Sequence, residues 1–310
     1  MKQEDAVAPV IAAMLVLAVL VTFFAVWNAT AIPAMKEQAE VSHLQEVESG
    51  ILRFSSDIDY AASSPSSMAL SERIPLGGGD ILFSSTKSGG MLAIHGDDPS
   101  MTYMRIKIYN ATSSSPAGND TLQLSNFSYQ PTGNFWQDQG YVWSQGYVNV
   151  TKGTLDPTPL EFSTMGAVDY KLTGTLFGTS VDPDPVDPAL CSVLFLKGVN
   201  ISAADAADSV SGNGVGTLSL VSSQESEIFL NVTRVNVTTN RSPAGPLSGF
   251  PKSLHDSVNA SFNGNVVTPH CSNIRFDPGY STNSTISLSI DPVPNVTVIR
   301  QITDISLSAH

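Results

Sequence analysis

The chain has 310 residues, enough for one large domain or two smaller ones beyond a terminal helix. Its formal charge is −13, from 15 basic and 28 acidic side chains, and only 14% of its residues are charged. With no basic stripe to neutralise phosphates, this balance argues against a nucleic-acid partner and disfavours docking of the outer domain on anionic lipid.

Residues 1–5 form a short tip, and Ala6 to Trp27 follow as 22 residues without a charged side chain. At ~1.5 Å per residue such a helix spans roughly 33 Å, enough for a hydrocarbon core of ~30 Å. A helix apolar on every side has no face to offer water, so it needs a membrane or other copies of itself. A cleaved signal peptide is one alternative, since Ala29-Thr30-Ala31 fits its cleavage site. Against it, the apolar run is too long, and Lys2 is opposed by Glu4 and Asp5. A plain single-span anchor is the second alternative.

Asp5-Ala6-Val7-Ala8-Pro9-Val10-Ile11, followed by Ala-Ala-Met-Leu-Val-Leu, resembles the N-terminal segment of archaeal type IV pilins and pilin-like surface proteins, over roughly residues 4–27. Pro9 is tolerated in a first helical turn, where its missing N–H would lack a partner anyway, and Glu4 and Asp5 sit at the positive end of the helix dipole. The resemblance implies leader processing around Asp5, Ala6 and Val7 and export by the pilus-type route. It also implies self-association of the apolar helices in a filament core, and a structural rather than catalytic role without a cofactor.

After the span, residues 28–62 read as a kinked amphipathic stalk helix, with a kink or short break near Pro33. Val41, Leu44, Val47, Ile51, Phe54, Ile58 and Ala61 recur at spacings of three and four, and Gly50 among them suggests a close approach. Residues 63–75 read as a linker, and residues 76–310 as an extracellular β-rich domain. Period-two patterns run through Met104–Ile108, Tyr147–Val150, Leu218 and Leu220, Ile228–Val232, Ile286–Ile290 and Val296–Val298, with a short strand at Ile81–Phe83. The expected class is α+β, with a mainly antiparallel, sandwich-like outer domain. The three Asp-Pro pairs of residues 181–188 mark a long loop or a boundary between two sheets.

Twelve of the 17 Asn residues open an Asn-X-Ser/Thr sequon, where about 3.5 would arise by chance. Asn28 lies close to the span, and Asn240 precedes Arg-Ser-Pro, a poor acceptor context. The remaining glycosylation candidates are Asn110, Asn119, Asn126, Asn149, Asn200, Asn231, Asn236, Asn259, Asn283 and Asn295. All sequons lie C-terminal to the span, which places Met1 inside and the large domain at the cell surface. In an oxidising space Cys191 and Cys271 form one disulfide by default, with two buried thiols as the alternative.

Among reactive patterns, no HExxH, Gly-x-Ser-x-Gly elbow or phosphate-binding Gly-Lys-Ser/Thr occurs. Asp182, Asp184 and Asp187 offer hard oxygens to Ca²⁺, with a solvated acidic loop as the plainer reading. Trp136, Tyr141, Trp143 and Tyr147 cluster as a possible surface for a glycan or surface-protein ligand, with a sandwich core as the plainer reading. That surface underlies the alternative to a pilin-like subunit, a membrane-anchored adhesin or receptor.

Overall fold

The structure, a computed structural model, describes residues 4–78, 88–96, 102–112, 114–134, 138–144, 146–153, 157–160, 176–187, 189–204, 209–239, 271–277, 285–291 and 295–310. The expected strand Ile81–Phe83 and the residues Trp136, Asn240, Asn259 and Asn283 lie outside these. The class is α+β: one long N-terminal helix followed by a domain built mostly of strands.

Helix α1 runs from Glu4 to Ser63, 60 residues without interruption. Of the kink or short break expected near Pro33, the break does not occur: the helix is continuous there. Pro33 removes one backbone donor, but strong helix formers follow it from Ala34 to Glu40, and propagation continues on both sides. The helix stops where Ser64 N–H and the Ser63 hydroxyl both turn back to the Tyr60 carbonyl and Pro65 follows.

Strands are numbered in chain order. The first sheet has the order β1 (Met68–Pro75), β12 (Val215–Phe229), β16 (Thr297–Ala309), β10 (Cys191–Ala203), β9 (Phe177–Pro183). Its neighbours are antiparallel except β10 and β16, which run parallel. The second sheet has the order β11 (Ser209–Gly212), β2 (Gly89–His95), β5 (Asn126–Thr132), β6 (Gln139–Ser144), β7 (Tyr147–Lys152), β8 (Thr158–Pro159). The third has β14 (Ile274–Asp277), β15 (Thr285–Ile290), β13 (Val232–Thr239), β3 (Thr102–Asn110), β4 (Gly118–Gln123).

Several expectations are corrected here. Only residues 64–67 connect helix to sheet, because Met68–Pro75 pairs along its whole length with β12. The alternation seen through Ile228–Val232 belongs to two strands, split where Asn231 takes a φ of 55°. Of the two readings of the Asp-Pro segment, the loop holds and the boundary does not: β9 and β10, on either side of it, are antiparallel neighbours in one sheet.

The first and third sheets are fastened together. Cys191 and Cys271 form a disulfide, 80 residues apart with Cα atoms 5.1 Å from each other. Beside it, the buried Asn273 carboxamide accepts from Cys191 N–H at 2.9 Å and donates to Cys191 C=O at 2.8 Å. Further along, the buried Arg300 of β16 bonds Asp120 of β4 and Glu227 at 2.8 Å. Asn200 of β10 accepts from Gln123 N–H at 2.9 Å and donates to Asp304 at 2.8 Å.

Candidate functional site

Helix α1 changes surroundings along its length. Every described residue from Val10 to Thr30 is exposed, including Met14, Leu17 and Phe24. From Glu40 onward one face is buried: Leu44, Val47, Ile51, Phe54, Ile58 and Ala61 belong to the core. Val41, expected on that face, is exposed, and His43 and Glu40 take its place. Among the described residues there is one helix long and apolar enough to cross a membrane, and it is this one.

The polar groups of the exposed half are satisfied within the helix. Thr22 donates to the Ala18 carbonyl at 2.9 Å, Asn28 to Phe24 at 2.9 Å and Thr30 to Val26 at 2.8 Å. Self-satisfaction of this kind is what hydrocarbon demands of a backbone and its polar side chains. Trp27 closes the apolar run, the place where an amphipathic ring suits a membrane–water boundary.

The buried half is seated on aromatic side chains of β5 and β6. Phe127 pairs with Trp143 across the strands, and Tyr129 with Tyr141. The Phe127 and Trp143 rings stack at 5.5 Å, and Phe54 meets Phe127 edge-on at 5.3 Å. Trp143 donates its indole N–H to Ser55 Oγ at 3.1 Å. Tyr141 reaches Glu48 Oε2 at 2.9 Å, and Tyr129 lies 3.0 Å from His43 Nε2. Burial raises the pKa of both phenols, and the Glu48 carboxylate adds to this for Tyr141, so both stay protonated donors.

Tyr141, Trp143 and Tyr147 are therefore core residues, each about 1% exposed, and not a binding surface. Their clustering is legible in the sequence, but not which side α1 covers. Gly50 makes the expected close approach: a Cβ there would lie 2.6 Å from Ile74 Cδ1 of β1. Gly78 leaves room for the ring of His43 in the same way.

Burial lowers the His43 pKa from 6.5, against the opposing pulls of Glu46 and the Leu76 backbone. The unfolded chain then takes up a proton near pH 6.5 that the folded chain refuses. The stabilisation is complete above that pH and is lost as pH falls through it, with a slope of at most about 1.4 kcal/mol per pH unit. Urea midpoints at pH 7.5 and 5.5 should show the wild type losing stability on acidification and His43→Gln losing less. A wild type that gains stability between these values contradicts the assignment.

The other expected sites are placed as follows. Asp184 accepts from the N–H groups of Val186 and Asp187, and Asp187 from that of Ala189, so two of the three acidic side chains brace the hairpin turn. Among the described residues, no group of three His, Cys, Asp or Glu side chains is arranged to hold a metal ion. Asn119, Asn231 and Asn295 are exposed, whereas Asn110, Asn126, Asn200 and Asn236 are half-buried. Asn149 is buried, donating to Ser144 Oγ at 3.2 Å. A cavity of about 530 Å³ opens where α1 ends, lined by Asp59, Ser63, Phe177, Lys197, Gln224 and Gln301. No pattern in the sequence pointed to it, because its walls come from five separate elements. No known family model, characterised protein or solved structure matches this chain.

Proposed function

We propose that the protein is a structural cell-surface subunit of the archaeal type IV pilin-like class. Its apolar half-helix lies in the membrane, or in a filament core after leader removal near Ala6, and carries a glycosylated, sandwich-like β-domain outside the cell. Met1 faces the cytoplasm, and the subunit has no catalytic role. The observation that supports this best is the abrupt change of surroundings along one continuous helix, exposed and apolar before Thr30 and built into the domain after Glu40. Such a rod transmits position from an apolar medium to an outer domain without a flexible joint.

The adhesin reading rested on the aromatic cluster. With Tyr141, Trp143 and Tyr147 under the helix, it keeps only Trp136, which lies outside the described residues. Mechanical shearing of the producing cells, followed by mass spectrometry of the released fibres, tests the proposal. The chain should be recovered in fibres with an N-terminus at Ala6 or Val7. Retention in the membrane fraction with Met1 intact would leave it a tether that does not polymerise.

A further inference from the structure

Strand β12 continues past the point where α1 ends. Leu218, Leu220 and Ser222 of β12 lie buried on the helix side, and Gln224 lines the cavity at the helix end. Side chains alternate along a strand, so the same face continues through Ser226 to Ile228 and, one residue past the strand, Leu230. Ile228 is 62% and Leu230 63% exposed. The register sets Ile299 of β16 beside Ile228, and Phe195 of β10 beside Ile299, both half-buried. An apolar row thus crosses three strands at the end of the domain farthest from the apolar half-helix, beyond the reach of α1.

Two exposed sequons border this row. Asn231 directly follows Leu230, with a φ of 55° and its side chain exposed, and Asn295 stands two residues before β16 begins. Other sequon carboxamides are consumed by the fold: Asn149 donates to Ser144, Asn200 both donates and accepts, and Asn236 accepts from Ser287 at 3.0 Å.

We infer that Asn231 and Asn295 carry N-linked oligosaccharides whose C–H faces cover the Ile228–Leu230 end of the sheet. The inference rests on the outward placement of the β-domain proposed above. The donor is an oligosaccharide linked to a polyisoprenyl phosphate or diphosphate. The Asn Nδ2–C1 bond forms as the C1–O bond to phosphate breaks, the lipid phosphate leaves with the electron pair, and the amide proton passes to the transferase's base. Once attached, the sugars remove from water an apolar patch that would otherwise drive association between copies.

The test is glycopeptide mass spectrometry on the full chain from its own cells, together with a variant carrying Asn231→Gly and Asn295→Gln. Glycine accepts the positive φ without strain. Sugar at both positions is expected, with a roughly threefold rise in binding of a fluorescent apolar dye by the variant. Adding Ile228→Ser and Leu230→Ser should abolish that rise. Bare Asn231 and Asn295 in a chain glycosylated elsewhere, or an unchanged dye signal after sugar loss, overturns the inference and leaves export intact. Absence of sugar from every sequon in a chain found inside the cell overturns the export reading as well.

Discussion

Phe54→Ala should lower the stability of the folded domain by about 3–5 kcal/mol. Phe54 is fully buried, and its ring packs edge-on against the stacked Phe127–Trp143 pair, beside the Trp143–Ser55 hydrogen bond. Its removal opens a cavity between a rigid helix and a sheet, neither of which can close it alone. The lost edge-on contact adds about 1 kcal/mol to the transfer cost. For a domain of this size the midpoint of thermal unfolding should fall by roughly 10 °C. Phe23→Ala, in the exposed half, is the matched control and should shift the midpoint little in detergent. Equal effects at the two positions would mean that the halves of α1 do not differ as described.

Joint replacement of Cys191 and Cys271 by Ala should cost about 4.5 kcal/mol by chain-entropy reasoning, since the bridge closes a long loop. The bond joins the start of β10 in the first sheet to the residues just before β14 in the third. Asn273 still holds the Cys191 backbone in the variant, so the fold should survive at low denaturant with its urea midpoint displaced downward. Reduction of the native protein under mild denaturant should give the same displacement. A variant as stable as the wild type would show that the Asn273 bridge and the sheet contacts suffice without the bond.

Local patterns revealed part of this structure. The apolar run and the three-four spacing from Leu44 to Ala61 are visible because a helix repeats its face every 3.6 residues. His43 and Glu40 are not recognisable in this way, because polar residues on a buried face look like solvent-facing ones until their partners are known. In sequence the strand Met68–Pro75 looks like part of a linker, since the Ser and Pro cluster before it resembles a loop and the strand itself holds Ser71 and Glu72. Its partner β12 lies some 140 residues away in the chain, and only that pairing makes it a strand. The aromatic cluster shows the limit most clearly. Period two says that Tyr141 and Trp143 share a face, and only the position of α1 decides that the face is the core. The uncovered end of the first sheet was equally hidden, because it depends on where a helix stops relative to a strand far along the chain.

If one helix joins an apolar medium to a folded β-domain, removing its apolar half must release the domain. The most direct test is the partition of the full chain, and of a chain beginning at Ala34, between alkali-washed membranes and supernatant. The full chain should stay with the membranes until detergent is added, and the shortened chain should be soluble and folded. A full chain that is monomeric in the supernatant without detergent would mean that the apolar half of α1 does not hold the protein in a membrane.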